Sequence, residues 1–158
     1  MKLSNGVEWA LHCCVSLSQG HEAVPAARLA ELHGVPAAYL AKHLQALARG
    51  GVVTSSPGQV GGYTLARAPG EITVLEVVTA VDGDEPTFRC REIRQNGPLA
   101  APLEQCSRWC AIARVMADAE TAWRSSLAAI SIADLAEAID DDSHGTAMRD
   151  VRGWLMSR

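Results

Sequence analysis

The chain has 158 residues, 48% hydrophobic and 20% charged, with a net charge of -4. That is enough apolar material for one buried core, or for a small domain with a dimerisation arm. No apolar run approaches the roughly 20 residues that cross a bilayer, and Met1 to Gly6 is polar at once; a cytoplasmic protein with no membrane partner is expected. The five cysteines are Cys13, Cys14, Cys90, Cys106 and Cys110. They are odd in number and hold no CxxC pair, which argues against a secreted disulfide scaffold and favours metal or redox chemistry for three of them. The charge is uneven. Residues 1–80 carry five Lys/Arg against five Asp/Glu, whereas the rest carry nine against thirteen, so an acidic C-terminal half leaves room for a cationic face on the N-terminal half.

Ser4 is a candidate N-cap for a first helix with Val7, Ala10, Leu11, Cys14 and Leu17 at helical spacing, stopped at Gln19-Gly20. A short helix over Ala26 to Leu32 and a second from Pro36, joined by His33-Gly34-Val35, form a helix-turn-helix pattern. The second helix places Leu40, Leu44 and Leu47 on its buried face and ends at Arg49-Gly50-Gly51. Val52-Val53-Thr54 and Tyr63-Thr64-Leu65 flank a Ser/Pro/Gly loop and read as a hairpin, the wing. A helix is predicted from Glu71-Ile72-Thr73, with Val74, Val77, Val78 and Val81 apolar, and then an aperiodic loop from Asp82 to Pro102. A long helix is predicted from Leu103 to about Leu127, its stripe formed by Trp109, Ile112, Met116, Ala119, Trp123 and Leu127. So long a stripe is expected to meet a second copy of the chain. A short helix over Ser131 to Ile139, a linker at Asp140 to Gly145 and an amphipathic terminal turn at Met148 to Met156 complete the chain. The fold expected is mainly α with a small β wing. Its organisation is a winged helix-turn-helix domain over 1–82, a cluster-binding loop over 83–102, dimerisation helices over 103–139, and a linker and tail over 140–158.

The order of helix, helix-turn-helix, glycine-rich wing, Glu71-Ile72-Thr73 helix, cysteine loop and long helix resembles the IscR/NsrR (Rrf-two) family of winged-helix iron–sulfur transcription regulators. The resemblance covers most of residues 1–139, is most specific from Gly51 to Gly83, and within the family is closest to the redox-sensing RsrR type. It implies a homodimer on a partly palindromic DNA operator, one iron–sulfur cluster per subunit, and a regulator, most simply a repressor. Two features depart from the pattern. Pro57 stands where the family wing often has Arg, and Cys90 and Cys106 are sixteen apart with Cys110 four later, where the family commonly sets three cysteines within a dozen or so residues.

Cys90 falls where the family's first cysteine stands, and Cys110 opens Ala111-Ile112-Ala113-Arg114, which resembles the run after the family's third cysteine. Cys106 is then out of register. The resemblance makes Glu8 the next ligand, since some members use an acid at this place on helix one, reaching the partner subunit's cysteine loop. The fourth is His33 or Cys106. His33 is preferred because Cys106 and Cys110, one turn apart, would both have to face one cluster from a rigid helix. Glu8, His33, Cys90 and Cys110 would hold a [2Fe-2S] cluster, and imidazole in place of thiolate raises its reduction potential. Trp9, beside Glu8, is cluster-adjacent or simply core. Cys13 and Cys14 read as small buried hydrophobes.

On the second helix of the helix-turn-helix, Ala38 and Tyr39 are placed near bases, Lys42 and Arg49 near phosphates, and His43 lies on the same exposed face; Ser55, Ser56 and Gln59 of the wing could bond the backbone. No nucleophile elbow, phosphate loop or HExxH is present, so an enzyme is not expected. Three alternatives stay open: a thiol switch using Cys90, Cys106 and Cys110, a zinc-responsive repressor built from Cys, His and Glu donors, and a nitric-oxide sensor with a different iron–sulfur cluster.

Overall fold

The computed structural model describes residues 3–58 and 61–157. The chain forms two compact units, one of Glu85–Ser126 and the other of the residues up to Asp84 together with those from Leu127 onward.

In the larger unit, α1 (Asn5–Leu17) packs on the helix-turn-helix pair α2 (Ala26–His33) and α3 (Ala37–Arg49). Ser4 has the extended backbone of an N-cap, but its hydroxyl does not cap α1. It donates instead to Asp82 at 2.5 Å, while the Ser4 N–H donates to the same carboxylate at 2.9 Å. The turn between α2 and α3 needs Gly34, which takes φ +62, a left-handed conformation costly to residues with a Cβ. Leu40, Leu44 and Leu47 are fully buried with Cys13, Cys14, Leu29, Val52, Ile72 and Ile132, as the spacing predicts. Burial pushes the Cys13 thiol up to about 12 and the Cys14 thiol higher still, with neighbouring Cys13 adding to the second. Both stay protonated core residues.

The wing is an antiparallel pair of β1 (Val53–Ser56) and β2 (Gly62–Leu65), running in register from Val53 opposite Leu65 to Ser56 opposite Gly62. Val24, just before α2, bridges Tyr63 on the free side of β2, tying the wing to the helix-turn-helix. Gln59 lies outside the described residues.

Helix α4 (Val74–Asp82) begins later than expected. Pro69–Glu71 form a 3-10 turn and Ile72 is extended. The cause is a capping box: Thr73 Oγ1 accepts from the Glu76 N–H at 3.2 Å, and Glu76 accepts from the Thr73 N–H at 2.8 Å, fixing Thr73 as the boundary. Ile72 and Val74, on either side of Thr73, pair with the chain around Ser131, Val74 N–H donating to Ile130 O and Ile132 N–H to Ile72 O. From there α6 (Ile132–Asp142) and α7 (Ala147–Met156) return to the core. The expected linker and tail are therefore corrected. Asp140–Asp142 are the last residues of α6, and α7 docks through buried Met148. Asp140 Oδ1 accepts from the Met148 N–H at 3.0 Å and Ser143 Oγ from the Ala147 N–H at 2.9 Å, so the acidic run caps a second helix.

In the smaller unit, the helix expected from Leu103 starts at Ala111: α5 is Ala111–Ala128, and Leu103–Cys106 is a separate 3-10 turn. The break is caused from farther back along the loop. Arg94 draws the carbonyls of Gln105 and Arg108 to its guanidinium, and the Ser107 hydroxyl donates to Glu104 O, so carbonyls that would accept helical bonds are diverted.

Candidate functional site

In the smaller unit, Cys90 and Cys110 line one cavity of about 560 Å³, walled by Phe88, Trp109, Ala113 and Met116. Both sulfurs are free, Cys90 exposed and Cys110 half-buried. Cys106 does not line this cavity. The premise that Cys106 and Cys110 share a rigid helix is corrected, since Cys106 ends the 3-10 turn and Cys110 precedes α5. The cavity wall also carries Glu120, which accepts from the Thr87 hydroxyl at 2.5 Å and from Arg124 Nε at 2.8 Å. The Thr87 bond first and Arg124 next hold its carboxyl below the usual range, and the Thr87 bond fastens the cysteine loop to α5. Two thiols in an apolar, partly enclosed wall fit soft-metal or iron–sulfur ligation, and two thiolates alone do not complete a four-ligand site.

In the larger unit, Glu8 is exposed on α1. Glu8, His12 and Ser16 recur every four residues and form one stripe along that helix. His33, the last residue of α2, lies against the stripe, its Nε2 3.2 Å from Ser16 Oγ and its ring centroid 5.8 Å from that of His12. Burial, and secondarily the charge of His12, lowers the His33 pKa, so the neutral imidazole that a metal requires is favoured. The fold thus brings His33 to the Glu8 face of α1. Among the described residues of this single chain, no three His, Cys, Asp or Glu side chains form a metal-holding group.

On α3, Ala38, Tyr39, Lys42 and Arg49 are exposed, as are Ser55 and Ser56 on β1. Tyr39 remains 48% exposed while packing edge-on to Trp9 at 5.4 Å, and Lys42 Nζ stands 5.7 Å from its ring. His43 is corrected: it is not on the open face. Its ring packs against Trp9 and Tyr39, its buried Nε2 has no hydrogen-bond partner among the described residues, and a Cβ on Gly6 would sit 2.1 Å from its Cε1. Gly6 is thus the space into which His43 fits, and Trp9 is shared between α1 and the reading helix.

A sequence profile of the Rrf2 family, described as iron-dependent transcriptional regulators, matches residues 3–138. The chain belongs to the Rrf2 family. Among its relatives, the transcriptional regulator IscR of Citrobacter koseri is 33% identical over 93 residues, 58% of this chain and 57% of the relative, and IscR of Salmonella paratyphi B matches to the same extent. The aligned stretch is just over half of those relatives' length. Among solved structures, CymR, the global cysteine regulator of B. subtilis, has a TM-score of 0.68 at 20% identity over 87% of this chain and 98% of that one. T. potens IscR has a TM-score of 0.66 at 22% identity over 90% of each chain. These two likenesses show the Rrf2 fold. The family is one of non-enzymes, and no helix of the described residues is long and apolar enough to cross a membrane.

In this Rrf2 chain, the wall around the thiols and the ion pair of Glu92 and Arg94 between them leave little mark in the sequence. The signal present was two opposite charges at i, i+2 inside a loop otherwise without periodicity. The inward turn of His43 leaves no such mark, since spacing on α3 does not reveal that Gly6 opens a recess beside it.

Proposed function

We propose that this Rrf2 regulator binds a palindromic operator as a homodimer and that its affinity is set by a [2Fe-2S] cluster, one per subunit, as in the redox-sensing RsrR type. The observation that carries the reading is the convergence of Cys90 and Cys110 on one apolar cavity, with Cys106 outside it. Glu8 and His33, on one face of the larger unit, complete the shell, Glu8 reaching the partner subunit's cysteine loop. When bound, the cluster supplies a one-electron couple, and carboxylate and imidazole donors in place of thiolates bring its potential into reach of cytoplasmic reductants.

The chain's own residues do the rest. His33 ends α2, Glu8 stands beside Trp9, and Trp9 touches Tyr39 on α3. The ligand face and the reading helix therefore share side chains, so a shift at Glu8 or His33 is transmitted by packing. Tyr39 and Ala38 face bases, while Lys42 and Arg49 neutralise phosphates. The exposed Ile112 and Val115, with the less exposed Met116, suit α5 to the dimer contact.

A second reading is favoured by the likeness to CymR, the global cysteine regulator: two free thiols in one cavity suit a metal-free thiol switch. Anaerobic purification separates the two. A brown to red protein with iron and sulfide, whose operator affinity changes between its oxidised and dithionite-reduced forms, supports the cluster. A colourless, iron-free protein whose DNA binding follows thiol oxidation supports the switch.

A further inference from the structure

Between the two cavity cysteines the loop is closed by an ion pair. Arg94 Nε and Nη2 donate to the Glu92 carboxylate at 2.5 and 2.8 Å, a two-pronged pair. The same guanidinium donates through Nη2 to Arg108 O at 3.0 Å and through Nη1 to Gln105 O at 3.4 Å. The Arg94 carbonyl in turn accepts from the Ala101 N–H at 2.7 Å. Glu92 stands two residues after Cys90, and Arg108 two before Cys110. One side chain thus joins the segment behind each thiol. Glu92 also takes φ 49, the left-handed region that residues with a side chain rarely adopt, and it lines the cavity.

The Arg94 charge is reinforced chiefly by its hydrogen bond to Glu92, against some burial, and further by the sulfurs of Cys106 and Cys110. By geometry the cation stands beside the cavity, bonded to cavity-lining Glu92 and to the Arg108 carbonyl two residues before Cys110. Lysine could not take its place, since a single ammonium lacks the planar fork that meets one carboxylate and two carbonyls together.

Resting on the reading that Cys90 and Cys110 are cluster ligands, we infer that Glu92 and Arg94 form a charge-balanced clasp that positions both thiolates and sets the reduction potential of the group they hold. Reduction adds one negative charge. Arg94 favours that charge, Glu92 on the cavity wall opposes it, and paired they nearly cancel. Removing either partner unbalances the site in opposite senses.

The test uses the full-length protein carrying Glu92→Gln, Arg94→Gln, Arg94→Lys or the Glu92→Gln/Arg94→Gln pair. Midpoint potentials are read by dithionite titration with mediators, and amide exchange over residues 103–110 in metal-free protein. Arg94→Gln should lower the potential by about 59 mV or more, a tenfold fall in the reduced-to-oxidised ratio for one electron. Glu92→Gln should raise it, and the double variant should return close to the starting value. Amide exchange over 103–110 should quicken in Arg94→Gln and Arg94→Lys, neither of which has the fork, while Arg94→Lys keeps a potential near the starting one. Shifts of the same sign in Glu92→Gln and Arg94→Gln, or none, overturn the electrostatic role, and unchanged exchange in both Arg94 variants overturns the clasp. A colourless starting protein overturns the cluster reading and with it the redox role, while the exchange result still decides whether Arg94 holds the loop.

Discussion

His33 Nε2 lies 3.2 Å from the buried hydroxyl of Ser16, so the end of the first helix of the helix-turn-helix is fastened to α1. A histidine at a helix C-terminus reads in sequence as solvated and dipole-stabilised. Here it is half-buried, with its charged form disfavoured by that burial. Cys90→Ala and Cys110→Ala are each expected to abolish the visible chromophore, Cys106→Ala to leave it nearly intact, and His33→Ala to weaken or remove it. Ser16→Ala, which removes only the orienting partner, should weaken cluster retention by about 10–100-fold, the range for outer-shell partners of metal ligands. Visible absorbance and iron content after anaerobic reconstitution measure all five. Full colour in His33→Ala with loss in Cys106→Ala would transfer the site to three-cysteine ligation.

Tyr39 is exposed yet braced by Trp9 and His43, ring centroids 5.4 and 5.1 Å away, so its hydroxyl is presented from a rigid support. Lys42 is exposed beside it. Tyr39→Ala should reduce discrimination between operator and unrelated DNA more than it reduces binding to unrelated DNA. Lys42→Ala should weaken both alike and reduce the slope of log affinity against log salt by about 1 for each phosphate that Lys42 neutralises. Fluorescence anisotropy with two duplexes over a salt series distinguishes these outcomes. Intact operator binding in both variants at moderate salt would remove α3 from the DNA.

The Arg28 guanidinium stands 3.7 Å from the centre of the Trp154 ring and donates to the carbonyls of Trp154 and Ser157 at 3.1 and 2.7 Å. Helix α7 is therefore part of the reading domain's stability. Met148→Ala should cost about 2–5 kcal/mol, the range for a buried large-to-small change. Trp154→Ala should cost at least the roughly 0.5–1 kcal/mol of a partly exposed cation–π interaction. Urea unfolding midpoints give both values, and a Met148→Ala protein as stable as the parent would show that α7 does not dock.

Burial alone would raise the Glu76 carboxyl, but the Thr73 N–H, the Arg67 guanidinium and the Thr73 hydroxyl outweigh it and hold it below the ordinary 4.5. On acidification the unfolded chain is therefore protonated first. The stabilisation is fully present above about pH 4.5 and is lost as the pH falls through the lower folded value. Thr73→Ala should cost about 1 kcal/mol at neutral pH, as helix N-caps do, and should flatten the acid limb of the stability curve. Parallel acid limbs for the two proteins would exclude the Thr73 hydroxyl as a source of that dependence.

The local patterns of the first 82 residues were legible because their elements obey short-range rules. Leu40, Leu44 and Leu47 define one face of α3 by spacing, Gly34 marks the turn, and two β-prone runs about a Pro57-Gly58 loop define the wing. Neighbouring residues are enough to determine such features. Cys90 and Cys110 were legible as a pair through the family order, which stands in for the long-range proximity between them.

Other features required the tertiary structure. Helix α5 starts at Ala111 because Arg94, far back along the loop, takes the carbonyls of Gln105 and Arg108; propensity read along Leu103 to Leu127 contains no trace of that competitor. His43 turns inward because Gly6 on another helix leaves a recess for its ring. Residues 140–158 look like an acidic linker and tail, yet Met148 finds the core and Asp140 caps the helix that carries it. Sequence alone determined which residues could form each element. Only the tertiary structure decided where polar groups found their partners, because hydrogen bonds and buried recesses depend on segments distant in the chain.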